Sequence, residues 1–248
     1  MFTCRFLGTA SGKPSPKRAP SSILLKKGSS AYLYDCGEGT AQSLVRYEGT
    51  CNSIKDIFIS HLHPDHFSGL AYLIQGMHLE KREEPLEVFI PRYAMPYMDA
   101  YLQINLLFKR RLGFQVRFMP IKEGAFFKDE NLEVSAIRTR HLDSLNTELA
   151  GTLENKLDSF AFVIRTDNKT ICYSSDLFSL EDINSIDGGD IIILDGMHFP
   201  LEEIPLFIKT HPYERIFLTH IPPEREYLTE KDSYRWVWAY DGLQIEVR

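Results

Sequence analysis

The run Ile57-Phe58-Ile59-Ser60-His61-Leu62-His63-Pro64-Asp65-His66-Phe67 decides how this chain is read. Its first four residues form a short buried-type strand. Leu70, Leu73, Ile74 and Met77 follow at i, i+3, i+4 and i+7 spacing, which predicts a helix starting near Phe67. Three imidazoles and a carboxylate therefore crowd one strand-to-helix turn. Such groups are costly to desolvate unless something pairs with them. A metal is the natural partner, because imidazole nitrogen and carboxylate oxygen are suitable zinc ligands and a turning backbone can aim alternate side chains at two neighbouring ions. A single His reads as an ordinary surface or core residue; four ligand-type residues in six positions do not.

Further ligands are sought at the ends of other predicted strands. His141 follows Val134-Ser135-Ala136-Ile137, Asp176 follows Ile171-Cys172-Tyr173, and His220 follows Ile216-Phe217-Leu218-Thr219. Strand ends hold such groups on a rigid scaffold and leave the loop side open to substrate. The strand Ile191-Ile192-Ile193-Leu194 runs into Asp195-Gly196-Met197-His198-Phe199, which makes His198 a candidate proton donor. His78 and His211 have no such context and read as ordinary.

Strands are expected near 2–8, 21–26, 31–34, 56–60, 86–90, 114–119, 131–137, 160–166, 169–173, 190–194 and 215–219. A longer helix is expected over about 93–111 and a short one over Leu201 to Lys209. Interspersed strands and helices suit layered sheets covered by helices. Nothing reads as a linker, a low-complexity segment or a repeat, so residues 1–248 are expected to form one domain.

The chain has 248 residues, 44% hydrophobic and 25% charged, which is an ordinary globular composition. No apolar run reaches the roughly 18 residues of a membrane span, and the first residues alternate like a strand, so a cytoplasmic protein without a membrane partner is expected. Cys4, Cys36, Cys51 and Cys172 show no C-x-x-C spacing and read as reduced, mostly buried thiols. A net charge of −6 argues against nonspecific coating of nucleic acid. Local basic contacts remain open in Lys13, Lys17, Arg18, Lys26 and Lys27, and in Lys109-Arg110-Arg111, although solvated faces are the plainer reading.

Taken in order, His61-x-His63-x-Asp65-His66, His141, Asp176, His220 and the stretch Tyr34-Asp35-Cys36-Gly37-Glu38-Gly39-Thr40 resemble the metallo-β-lactamase-fold hydrolase superfamily, and within it the ribonuclease Z-like branch. Phe6-Leu7-Gly8-Thr9 followed by Pro14-Ser15-Pro16-Lys17-Arg18 and Ser21-Ser22 is similar to the start of ribonuclease Z, where a basic loop lies near the substrate. The resemblance spans nearly the whole chain. It implies an α/β four-layer αβ/βα sandwich, with His61, His63 and His141 on one ion, Asp65, His66 and His220 on the other, and Asp176 bridging both. Asp35 would orient a ligand imidazole by accepting its N–H; its plainer reading is a turn residue before Gly37. Lys17 and Arg18 would touch substrate.

Two divalent ions, zinc by preference and manganese or iron as alternatives, would lower the pKa of a bridging water and stabilise charge on the attacked centre. Asp65 would take a proton from that water while ligating, and His198 would serve the leaving group. The expected activity is hydrolysis of a phosphodiester, with a small phosphodiester or an RNA as substrate. Removal of a 3′ trailer from precursor tRNA is the obvious named alternative, and three departures weigh against it. Only residues 142–175 lie between His141 and Asp176, too few for a tRNA-gripping arm, so that 142–158 forms a stub at most. Ala19 stands where the Pro-x-Lys-x-Arg-Asn loop has Asn. The last ligand sits in Thr219-His220-Ile221-Pro222-Pro223 rather than in a His-x-Ser-x-Arg setting. Hydrolysis of a lactone, β-lactam or thioester is a second alternative, and a noncatalytic metal-binding scaffold a third. A diiron redox role fits similar ligands but lacks an electron-delivery domain. The reading also allows a homodimer.

Overall fold

The computed structural model describes residues 1–152, 156–229 and 236–247. They fall into two compact units, Met1–Pro120 with Tyr240–Arg248, and Ile121–Ala239.

The first unit holds a seven-stranded sheet in the order β14-β1-β2-β3-β4-β5-β6. Its strands are β1 Phe2–Gly8, β2 Ser22–Lys27, β3 Ser30–Tyr34, β4 Ile54–Phe58, β5 Leu86–Ile90, β6 Val116–Pro120 and β14 Gln244–Val247. The β14/β1, β1/β2 and β2/β3 pairs are antiparallel, whereas β3/β4, β4/β5 and β5/β6 are parallel. Parallel neighbours need crossovers. Three of its helices are α1 Thr40–Glu48, α3 Leu70–Leu79 and α4 Met98–Ile104, with the single turn α2 Pro64–Phe67 before α3. Leu44 of α1 and Leu70, Leu73, Ile74 and Met77 of α3 pack with Leu24, Leu33, Ile57 and Val88 of the sheet in one buried cluster. On the opposite strand face Tyr34, Phe58 and Phe89 stack in register, with centroids 5.0 Å apart at each step.

In the second unit the order is β13-β12-β11-β10-β9-β8-β7. The strands are β7 Gly124–Lys128, β8 Glu133–Thr139, β9 Ser159–Arg165, β10 Thr170–Tyr173, β11 Gly189–Asp195, β12 Tyr213–Thr219 and β13 Val237–Trp238. β7 to β10 run as an antiparallel meander, and β10 to β13 pair in parallel. Helix α5 spans Asp143–Glu148 and α6 spans Ile204–Thr210. Ile204 and Phe207 of α6 pack with Val163, Cys172, Ile192, Leu194 and Leu218. The expected stub over 142–158 contains α5; residues 153–155 lie outside the described residues.

The eleven expected strands all occur, with ends shifted by up to two residues. The long helix over 93–111 does not. A 3-10 turn over Arg92–Tyr97 containing Pro96 precedes α4, and Leu106 takes a left-handed φ of 60° before a second 3-10 turn at Lys109–Arg111. Pro96 cannot donate a backbone hydrogen bond and Leu106 leaves helical space, so the apolar spacing is divided among short pieces. Helix α1 and strands β7, β13 and β14 were not expected. All four cysteines are free and buried. Burial pushes the thiols of Cys36 and Cys172 up, keeping them protonated. Among the described residues no helix is long and apolar enough to cross a membrane.

Candidate metal-ligand clusters

In the first unit, β3 and β4 are parallel neighbours, so Asp35 and Ser60 emerge at the same sheet end. Open α/β sheets bind ligands outside the carboxyl ends of such strands. Asp35 sits at a left-handed φ of 59°, a conformation that few non-glycine residues adopt outside strained or functional positions. Two glycines let the turns close. A Cβ on Gly69 would lie 2.1 Å from the Gly37 carbonyl oxygen, and one on Gly37 would lie 2.3 Å from that of Asp65.

Asp35 is fully buried and orients two imidazoles. Its Oδ2 accepts the Nδ1–H of His66 at 2.7 Å and the Ser60 hydroxyl at 3.0 Å, while Oδ1 accepts the Ser60 N–H at 2.8 Å. Because the Ser60 hydroxyl proton is committed to Asp35, its oxygen is left to accept from Nδ1 of His61 at 3.0 Å. Both rings are thereby set with Nδ1 protonated and the Nε2 lone pair outward. The Nε2 of His61 lies 3.0 Å from Nδ1 of His63, and the Nε2 of His66 lies 3.3 Å from Oδ2 of Asp65.

In the second unit, β10, β11 and β12 are adjacent parallel strands and deliver Asp176, Asp195 and His220 at their carboxyl ends; His141 follows β8. Ser175 and His220 have φ of 48° and 56°, so the left-handed backbone recurs at the turns that carry candidate ligands. Thr139 Oγ1 donates to the Asp176 carbonyl at 3.2 Å, and Arg140 is held by Asp182, fastening the loops that carry His141 and Asp176. The two carboxylate oxygens of Asp176 face different rings, Oδ2 at 3.5 Å from Nε2 of His141 and Oδ1 at 3.5 Å from Nε2 of His220.

Asp195 is the counterpart of Asp35. Its Oδ2 accepts Nδ1–H of His198 at 2.7 Å and the Leu177 N–H at 3.1 Å, and Oδ1 accepts the Met197 N–H at 2.8 Å and Nδ1–H of His220 at 3.3 Å. Burial opposes its charge, but the hydrogen bonds from His198 and His220 outweigh that and hold the carboxyl at about 2. Burial likewise disfavours the His198 cation, yet the Asp195 bond raises that ring above its ordinary value. Asp176, Asp195, His198 and His220 each place one ligand-type atom within 4.8 Å of the others. The reading from the strand ends included His198 but missed Asp195, whose signal was a buried strand ending three residues before His198. Ser60, in sequence only the end of a strand, likewise carries no signal of its contacts with Asp35 and His61.

The donor sets fit a divalent cation. A tetrahedral zinc ion with bonds of 2.0–2.1 Å separates its ligand atoms by roughly 3.4 Å. The His66–Asp65 pair and both Asp176 pairs match that figure, and His61, His66 and His220, each held at Nδ1, present Nε2 as the ligand atom.

The basic pair divides. Arg18 lines a cavity of about 330 Å³ together with Asp65, Ser11 and Glu38, whereas Lys17 is exposed and is not part of that lining. In the second basic group, Lys109 pairs with Asp99 at 2.6 Å. His78 lies in the last turn of α3, at the far end of that helix from His66, and His211 stacks on Phe207 just after α6.

Comparison with known proteins agrees with this architecture. The family described as Anti-Pycsar protein Apyc1 matches residues 2–233. Ribonuclease Z of Saccharolobus solfataricus is 31% identical over 221 residues, covering 84% of this chain and 73% of that protein. Ribonuclease Z of Methanosarcina acetivorans is 32% identical over 141 residues, and the chain spans only 45% of that relative's length. Among solved structures, human tRNase Z, short form, superposes with a TM-score of 0.76 at 23% identity, over 99% of both chains. A metallo-β-lactamase fold protein from Bacillus subtilis superposes with a TM-score of 0.72 at 17% identity, over 99% of this chain and 100% of that one. The chain belongs to the Anti-Pycsar protein Apyc1 family, is a relative of ribonuclease Z, and has the metallo-β-lactamase fold.

Proposed function

We propose that this chain is a dinuclear metal-dependent phosphodiesterase, built as one hydrolase domain across residues 1–248, that hydrolyses small phosphodiesters. The observation that carries the reading is the recurrence, once in each unit, of a buried carboxylate that holds an imidazole at Nδ1 and so leaves Nε2 as its ligating atom: Asp35 for His66, and through Ser60 for His61, and Asp195 for His220. Family likeness supplies the grouping, with His61, His63 and His141 on one ion, Asp65, His66 and His220 on the other, and Asp176 on both. The two separate imidazole contacts of Asp176 support its bridging role. Zinc suits the ligand types, and manganese or iron would suit them as well.

When bound, the ions supply a water of lowered pKa and neutralise charge on the attacked phosphate. The chain does the rest. The Asp65 carboxylate accepts a proton from the attacking water. His198, held at Nδ1 by Asp195, delivers a proton from Nε2 to the leaving oxygen as the P–O bond breaks. The short segment between His141 and Asp176, of which α5 is the described helix, favours a small substrate over the body of a tRNA. The ribonuclease Z relatives keep RNA cleavage as the second reading. The free buried thiols support a reducing, cytoplasmic setting, and a homodimer is consistent with the reading.

The test is a substrate panel on metal-loaded protein: an aryl phosphodiester, cyclic nucleotides, precursor tRNA, a lactone and a thioester, with Asp176→Ala as control. Cleavage of the small phosphodiesters, lost in the variant, is expected. Cleavage of the carbonyl substrates alone would overturn the reading. Cleavage of precursor tRNA alone would establish the second one.

A further inference from the structure

His198 lies in the loop 196–200 after β11 and touches the rings of two candidate ligands. It stacks on His220 with centroids 5.3 Å apart and meets His141 edge-on at 4.8 Å. The ring is half-buried, and an exposed Met197 precedes it. The Asp195 bond at Nδ1 fixes how the ring is turned, but a ring on a loop still moves with its backbone. A proton donor works only within hydrogen-bond reach, roughly 2.6–3.2 Å, of the oxygen it serves. The main chain on both sides of His198 therefore has to be held.

Arg225 holds it. This residue lies in the 3-10 turn Pro223–Leu228, in the segment that follows the candidate ligand His220. Its Nη1 donates to the Gly196 carbonyl at 2.5 Å and its Nη2 to the Phe199 carbonyl at 3.2 Å, so one guanidinium spans the residues that bracket His198. The base of the loop is pinned separately. The Gly196 N–H donates to the Thr219 carbonyl at 2.7 Å, and a Cβ on Gly196 would lie 2.6 Å from that oxygen.

The residue type suits the task. A planar guanidinium offers two outer nitrogens in a fixed fork, whereas a lysine is a single flexible point charge. Pro222 and Pro223 restrict the backbone between His220 and Arg225, so the clamp on the His198 loop is tied to the turn that carries His220.

We propose that Arg225 is a positioning residue: by holding Gly196 and Phe199 it sets His198 against the leaving oxygen, to which His198 passes its proton as the P–O bond breaks. The inference rests on the phosphodiesterase reading with His198 as proton donor, and gives Arg225 no contact with substrate or metal.

Two esters read the positioning with the metal-loaded full chain, methyl phenyl phosphate and methyl p-nitrophenyl phosphate, because a departing phenolate needs the proton more than the less basic p-nitrophenolate. Arg225→Ala is expected to lower kcat on the phenyl ester about tenfold more than on the p-nitrophenyl ester, part of what a positioned proton donor supplies, with the change in kcat and not in KM. His198→Ala should steepen the same dependence, and adding Arg225→Ala to it should steepen it no further, because the two act as a unit. Arg225→Lys should recover only part of the loss. A merely structural Arg225 would slow both esters alike.

The imidazole proton–nitrogen correlation spectrum of the metal-free chain reads the clamp without turnover, with His198 assigned by its loss in His198→Gln. Arg225→Ala should shift or broaden the His198 Nδ1–H signal and leave that of His66, bonded to Asp35, in place. Should Arg225→Ala fail to fold, Arg225→Lys gives both readouts. An equal loss on both esters, or an unmoved His198 signal, would overturn the clamp. If wild type cleaves neither ester, the phosphodiesterase reading falls; if His198→Ala leaves the dependence unchanged, His198 is not the proton donor. In either case the His198 signal alone decides the clamp: displaced in the Arg225 variant supports it, unmoved overturns it.

Discussion

Nδ1 of His66 lies 2.7 Å from Oδ2 of Asp35, and both side chains are fully buried. The same carboxylate reaches His61 through Ser60. Removing it frees two rings to rotate or change tautomer. Asp35→Ala is therefore expected to weaken metal binding by about 10–100-fold, the usual effect of losing a partner behind a ligand. Competition with a chromogenic chelator measures this. Unaltered affinity would return Asp35 to the role of a turn residue.

Asp195 accepts four hydrogen bonds in the second unit, two from imidazoles and two from backbone N–H groups. Asp195→Ala leaves all four donors without that acceptor in a buried site. A loss of about 3–5 kcal/mol is expected, the range for breaking a buried pair from one side. Urea unfolding of the metal-free protein would read it, and a loss below about 1 kcal/mol would show that water or a shift of the loop replaces the carboxylate.

Gly69 and Gly37 allow two turns of the first unit to approach at backbone distance. Gly69→Ala would place a Cβ 2.1 Å from the Gly37 carbonyl oxygen, and backbone cannot yield as a flexible side chain does. Destabilisation of at least about 1–3 kcal/mol is expected, with weaker metal binding because the displaced turn carries Asp65 and His66. Denaturation and metal titration of the same variant should change together.

Glu80 gives a pH signature away from the ligands. Burial opposes its charge, but hydrogen bonds from Thr50 and from the backbone N–H groups of Cys51 and Asn52 outweigh it and lower its pKa. A carboxyl whose folded value lies below its unfolded value of about 4.3 stabilises the fold above that pH and loses the contribution as pH falls through the folded value. The urea midpoint of wild type should therefore exceed that of Glu80→Gln at neutral pH, with the gap closing below about pH 4. A gap that widens in acid would contradict the sign.

How much of this was legible depended on distance along the chain. The His61 to His66 run is local, and His141, Asp176 and His220 each follow a strongly apolar strand, so residue type and position single them out as candidates. Asp195 was not legible in the same way. A single Asp before Gly196 resembles a turn residue, and its second imidazole comes from the neighbouring strand, where Asp195 pairs with Thr219 and brings His220 alongside. Helix α1 was hidden because its buried apolar side chains are few, chiefly Ala41 and Leu44. The helix expected over 93–111 failed through Pro96 and Leu106, which interrupt the backbone but leave the apolar spacing intact.

The central claim is that the His and Asp clusters hold metal for phosphodiester hydrolysis. The most direct measurement follows bis(p-nitrophenyl) phosphate hydrolysis and bound-metal content together, through chelation and then stepwise return of zinc or manganese. The account predicts that activity disappears with the metal, returns as about two ions per chain are restored, and returns to neither quantity in Asp176→Ala. Full hydrolysis by the metal-free chain, or two ions bound with no phosphodiester cleaved, would contradict it.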